Sequence, residues 1–359
     1  MKSAEKYLCE IREMAYNSSK GWMVTVESVF EEDYDDIQFR NTLASINYKD
    51  ILQDFESGKL DHFIKENSGD KRLDLLISKL AYSLMEDIKD CTQNKYSDKW
   101  NNTYLSFIPY NDCTAFCSNV DDFLEPLDGY IICINQGIYY CLNLISKAFV
   151  VETVSEDLKQ YKNNAPELYN DAIGLFLEPK KEAIKNLFFE PEKLQPQNYG
   201  HLSAFQSSMA MMIMQFIGLH EFGHIVNDDL TEVTHYKSHL GAITGHEATE
   251  GDYDHKKTWA LEYSADEFAI KALSSRAACN EAAWANFLSI YYFFKWLDDV
   301  ETKIKKPISR FHPPPMDRAN NLLRIMKQTS EMPQDAERVI NNISMWSDTW
   351  LVQNKDCYE

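Results

Sequence analysis

Glycine and proline are scarce in this 359-residue chain, at 12 and 11 residues. That excludes a fibrous, collagen-like or wholly disordered architecture. Positive charge is also short, with 36 Lys and Arg against 56 Asp and Glu and a formal charge of −20. So acidic a surface repels phosphate backbones and anionic headgroups, so neither nucleic acid nor a membrane is an expected partner. The first twenty residues lack the apolar segment of a secretory leader. Long hydrophobic runs are missing too: Leu202 to Leu219 is broken by Gln206, Ser207, Ser208 and Gln215, and Tyr130 to Val151 by Asn135, Gln136, Asn143 and Lys147. Neither offers the roughly 20 apolar residues a bilayer demands, and both read as buried elements of a core. Finally, the eight cysteines include no tight CxxC pair, and Cys113 with Cys117 has no second Cys or His pair to complete a metal knuckle. They read as reduced thiols of a cytoplasmic protein.

What remains is an ordinary globular composition, 44% hydrophobic and 26% charged, on a chain long enough to bury one large or two smaller cores. The densest acidic stretch, Glu27 to Asp36, reads as a solvated face. Met23 to Val29 alternates with period two, as a strand does, and Leu73 to Ile88 has apolar residues at helical spacing. Three β-rich runs follow, Tyr104–Ile108, Thr114–Cys117 and Tyr130–Ile134, with turn signals at Asn111-Asp112 and Leu127-Asp128-Gly129. Beyond Gly137 helical patterns dominate. The expected class is α+β, mostly helical, with a small mixed or antiparallel sheet before the informative helix. The expected organisation is a mixed α/β region over 1–100, a core over 101–330 and a C-terminal helix and tail over 331–359. Within the core, the sheet is expected over 103–135 and the two key helices over 203–227 and 257–275.

The first of these helices opens on Ser203-Ala204-Phe205-Gln206, which has the S-x-x-Q form of a capping box. It carries Met209, Met212, Ile213, Phe216 and Ile217, a stripe that reads as core packing, and runs into His220-Glu221-Phe222-Gly223-His224. On a helix, His220 and His224 stand one turn apart on one face, so both imidazoles can reach a single Zn²⁺. Glu221 projects beside that position, where it can take a proton from an activated water. The neighbours Phe216, Ile217, Leu219, Phe222, Ile225 and Val226 are apolar, so the polar trio is expected to be buried, and burial without a metal would be costly. A catalytic zinc needs a third ligand and an open position. The metzincin arrangement is excluded, because Asn227 and Leu230 stand where it needs Gly and His. Glu262 is the candidate: Glu262, Ala265, Asp266 and Ala269 share one helical face. The small alanines permit close approach, Glu262 can ligate the metal, and Asp266 can accept the far N–H of a ligand imidazole.

His220-Glu221-Phe222-Gly223-His224 followed by Glu262-Tyr263-Ser264-Ala265-Asp266 resembles the gluzincin metallopeptidases. The resemblance is to the branch holding HtpX and the CAAX prenyl proteases, and equally to soluble relatives such as the phage-exclusion protease Lit and the repressor-cleaving ImmA type. Phe311-His312-Pro313-Pro314-Pro315-Met316-Asp317-Arg318 is similar to the His-Pro-Pro…Arg segment of that branch. The resemblance implies a zinc-dependent endopeptidase of protein or peptide substrates, with His220, His224 and Glu262 as ligands and Glu221 as general base. It also implies that His312 lies near the metal to stabilise an oxyanion; otherwise it simply precedes a Pro-rich turn that starts a helix. Arg318 is either an orienting partner of Asp266 or a surface residue. The insert from Ile225 to Leu261, with His235, His239, His246 and His255, reads as a polar flap, with a second metal site as the alternative. The resemblance further implies that substrate adds as a strand to a sheet edge, for which Tyr130–Ile134 is the candidate. Two other readings stay open: a latent proteolytic effector that cuts one host protein, and an inactive zinc-binding regulatory module.

Overall fold

Three short strands form the platform on which the helices rest. In this computed structural model, residues 3–18, 83–92, 95–108, 113–121, 125–153, 165–177, 200–231, 255–305 and 312–353 are described. Strands β1 (Thr103–Ile108), β2 (Ala115–Val120) and β3 (Pro126–Asn135) lie in the order β1-β3-β2, so the last of these three in sequence is the middle of the sheet. β1 runs parallel to β3, pairing Leu105 with Ile132, and β2 runs antiparallel to it, pairing Cys117 with Ile132. The sheet is therefore mixed. The Met23–Val29 strand expectation lies outside the described residues, and of Leu73–Ile88 only residues 83–88 are described, as helix.

The central place of β3 corrects the expectation that Tyr130–Ile134 is an edge. Ile131, Ile132, Cys133 and Ile134 are all buried in succession, and alternate side chains of a strand point to opposite faces. Ile132 and Ile134 join Leu105, Phe107 and Cys117 in the main helical core. Ile131 and Cys133 face the other way, with Ile108, Phe116 and Leu127, against Ala4, Tyr7, Leu8 and Ala15 of helix α1 (Ala4–Ser18). An unbroken apolar run marks a strand covered on both faces, and the hydrogen-bonded partners on either side of it make it the central strand. Among the described strands, β2 and β1 flank it.

Among the described residues, seven α-helices follow the sheet: α2 (Gln136–Thr153), α3 (Ala165–Leu177), α4 (Gly200–Val226), α5 (His255–Arg276), α6 (Asn280–Ile304), α7 (Pro315–Thr329) and α8 (Gln334–Gln353). α4 lies at the centre, packed on α2, α5, α6 and the β2–β3 side of the sheet. Met209, Ile213, Met214, Phe216, Leu219, Phe222 and Ile225 are buried around its whole circumference. By length and apolarity its Phe205–Val226 portion could cross a bilayer, but 83% of its most apolar window is buried inside the protein, as in a core helix.

Ser203 does not cap α4, because the helix begins at Gly200. One side-chain cap is worth about 1 kcal/mol, and a helix already nucleated gains a backbone bond for each residue it adds. At the other end the chain leaves the helix through Asp228, whose φ of 59° is left-handed, a geometry that short polar side chains tolerate. The Asn227 N–H donates to the Gly223 carbonyl at 2.9 Å, closing the last turn.

Candidate metal centre

Two helices bring the site together because small residues let them approach. A Cβ on Gly223 would stand 3.1 Å from the Ala265 Cα and 3.2 Å from the Phe268 ring, so glycine in HEFGH is a packing residue. Ala265 and Ala269 on the facing side of α5 are fully buried. At this crossing His220, His224 and Glu262 converge, all buried, with one ligand atom from each within 4.8 Å of the others. The His220 and His224 Nε2 atoms are 3.2 Å apart. Glu262 Oε2 is 3.3 Å from the first and Oε1 is 3.6 Å from the second.

These spacings test whether a metal fits. Tetrahedral zinc with bonds near 2.05 Å separates its ligand atoms by about 3.3 Å, close to the 3.2 Å between the two Nε2 atoms, while Glu262 turns one carboxylate oxygen toward each imidazole. The proton inventory agrees. Asp266 Oδ1 lies 2.9 Å from His220 Nδ1, and Asp229 Oδ2 lies 2.9 Å from His224 Nδ1. An ionised carboxylate only accepts, so each Nδ1 carries the proton and donates it. The two Nε2 atoms are thereby turned toward one another and toward the Glu262 carboxylate. Such a cluster takes either a proton or a cation between its members, and carboxylates behind the imidazoles are the usual companion of a bound metal.

The surrounding charges serve the same end. Arg318 on α7 grips Asp266 with two bonds, Nε to Oδ2 at 2.8 Å and Nη2 to Oδ1 at 2.6 Å. It rests on the Phe294 ring of α6 at 4.9 Å, and with its side chain 12% exposed it is a largely covered ion-pair partner instead of a surface residue. Burial alone would lift the Asp266 pKa; Arg318 and then His220 hold it below the usual carboxylate range. Burial likewise opposes the charge on Glu262, but His312 and His220 keep its carboxyl well below the ordinary value. Burial also disfavours a charged His220, yet its bonds to Asp266 and Glu262 prevail and lift it to about 10 when only protein groups surround it. The nest of carboxylates demands a positive charge, proton or metal.

His312 opens the segment before α7, with its Nε2 3.6 Å from Glu262 Oε2 and its side chain 31% exposed, so it reaches the cluster from a wetter side. Desolvation pushes its pKa down to about 4 against the pull of Glu262. Glu221 is buried, and its Oε2 makes no hydrogen bond among the described residues. Beside it sits Cys117 of β2, whose thiol pKa is pushed well up by burial and then by the Glu221 carboxylate.

Two neighbours were not read from the sequence. Asp229 was missed because its only signal is an Asp-Asp pair just past the helix, a pattern that turns share. Cys117 was weighed with Cys113 as a metal knuckle, but the fold sends the two apart: Cys117 lies beside Glu221, and Cys113 faces Cys141. His235, His239 and His246 lie outside the described residues, and His255 opens α5.

Comparison with known families gives one match: the family model described as Peptidase U49 covers residues 143–340, more than half of the chain, and that span contains every residue of the cluster. No curated protein and no solved structure matches.

Proposed function

The chain belongs to the peptidase U49 family, and from that premise we propose that it is a zinc-dependent endopeptidase acting on protein or peptide substrates. Of the relatives its motifs resemble, the Lit protease is the one this family stands for. The observation that supports the zinc reading is the buried convergence of His220, His224 and Glu262, one ligand atom from each within 4.8 Å of the others, with a carboxylate of Asp266 or Asp229 against each imidazole Nδ1.

His220, His224 and Glu262 would hold the ion, leaving a fourth position for water or substrate. When bound, zinc supplies Lewis acidity, polarising the scissile carbonyl and making water acidic enough to deprotonate near neutral pH. Glu221 follows its ligand in sequence and keeps a buried carboxylate oxygen open to a hydrogen bond. It takes the proton of the attacking water and passes it to the departing amine nitrogen. His312, on the more exposed side, is placed to donate to the oxyanion as charge develops on the carbonyl oxygen. Strand β2, the outer strand packed against α4, is where an extended substrate would add. An acidic, neutral-to-negative surface and the family membership favour a protein substrate over nucleic acid.

The test is zinc content by elemental mass spectrometry on purified wild-type protein beside Glu262→Ala. The expected result is about one zinc per wild-type chain and a clear loss in the variant. A wild-type chain that stays zinc-poor after refilling would overturn the metallopeptidase reading.

A further inference from the structure

We propose that Cys113 and Cys141 form a modification site, closing to a reversible disulfide that fixes the start of strand β2 to helix α2. Their sulfurs are 3.2 Å apart although neither cysteine is in a disulfide. A disulfide bond is about 2.0 Å long, so closure needs an approach of about 1.2 Å, within reach of side-chain rotation.

The backbone holds the two in place. The residue after Cys113, Thr114, accepts a bond from the Asn135 N–H at 2.9 Å, and Asn135 is the last residue before α2. Cys141 sits on the second turn of α2, and its thiol faces the Ala172 carbonyl of α3 at 3.7 Å. Accessibility assigns the order of events. Cys113 is partly exposed, whereas Cys141 is 1% exposed. An oxidant in solution meets Cys113 first, and Cys141 resolves from within.

With a small disulfide such as oxidised glutathione as co-reactant, the Cys113 thiolate attacks one of its sulfurs. A mixed disulfide forms and one glutathione thiolate leaves. Cys141 then loses its proton, its sulfur attacks that of Cys113, and the second glutathione leaves. Two protein thiols are oxidised and one glutathione disulfide is reduced to two thiols. The strand so anchored is the one that carries Cys117 beside Glu221. The bridge itself does not depend on the zinc reading.

Native full-length protein, incubated with oxidised glutathione, alkylated and digested without reduction, gives the answer by peptide mass mapping. The expected product is one linked pair, Cys113 with Cys141, two hydrogens lighter than the separate peptides and restored by dithiothreitol. Cys279, which is exposed, should carry only a glutathione adduct. Cys141→Ser should stop the reaction at a glutathione adduct on Cys113. If wild-type Cys113 keeps its glutathione while Cys141 stays reduced, the proposal fails. It fails equally if neither cysteine reacts or if cysteines pair without preference. Should Cys141→Ser not fold, the wild-type map decides alone.

Discussion

Asp229→Asn isolates the contribution of one charge beside one of the proposed metal ligands, His224. Asp229 Oδ2 sits 2.9 Å from His224 Nδ1, with the two side chains 6% and 1% exposed. Asparagine keeps the size and an accepting oxygen, so the His224 N–H still has a partner, but the negative charge that strengthens the imidazole as a donor is gone. Loss of such an outer-sphere carboxylate costs 10–100-fold in metal affinity, about 1.4–2.7 kcal/mol. The neighbouring residue supplies the control. Asp228 is 65% exposed and pairs with Lys99 at the surface, where an ion pair is worth about 0–1 kcal/mol. Its left-handed φ of 59° suits asparagine. Asp228→Asn removes the same charge one residue away and should leave zinc affinity within about twofold. The assay is competition for zinc against a chromophoric chelator at fixed pH and ionic strength, with circular dichroism confirming the fold. Equal affinity in wild type and Asp229→Asn would refute the assignment of the His224 proton. Equal losses in the two variants would show a general field effect instead of a specific bond.

Glu221→Gln should retain wild-type zinc content while peptide hydrolysis falls by about 10²–10⁴-fold; zinc-dependent cleavage at the wild-type rate would remove Glu221 from the mechanism. Gly223→Ala should lower stability by about 1 kcal/mol, because overpacking against the Ala265 backbone at 3.1 Å outweighs alanine's helix preference. A urea midpoint above wild type would contradict that packing. Asp171 on α3 is raised to about 6 by burial and then by Glu167. A folded pKa above the ordinary 3.8 means the folded chain binds the proton more tightly, so this residue's contribution is full below pH 3.8 and is lost as pH rises through about 6. Asp171→Asn should therefore raise the melting temperature at pH 7.5 and change it little near pH 4. A stabilisation that did not depend on pH would count against this account.

The cluster was legible in the sequence because helical geometry is local. Residues four apart on a helix share a face whatever surrounds them, so His220 with His224, and Glu262 with Asp266, could be paired before any tertiary contact was known. The small residues Gly223, Ala265 and Ala269 likewise announce where two helices can meet. The sheet's strand runs were equally plain, since their apolar patterning lies within six to ten residues. Strand order was not, because β3 is the last of the three in sequence and the middle one in space, and pairing depends on what covers each face. The apolar run Ile131 to Ile134 announces a strand covered on both faces, but not which strands pair with its edges.

Contacts across long loops were left to the tertiary structure. Arg318 meets Asp266 across 52 residues, Cys113 meets Cys141 across 28, and Asp229 reaches His224 only because a left-handed residue turns the chain back. Sequence spacing specifies neighbours along one element, where the backbone fixes direction. Which carboxylate orients which imidazole, and which arginine holds that carboxylate, depends on how whole helices dock, and that is decided by packing summed over many side chains.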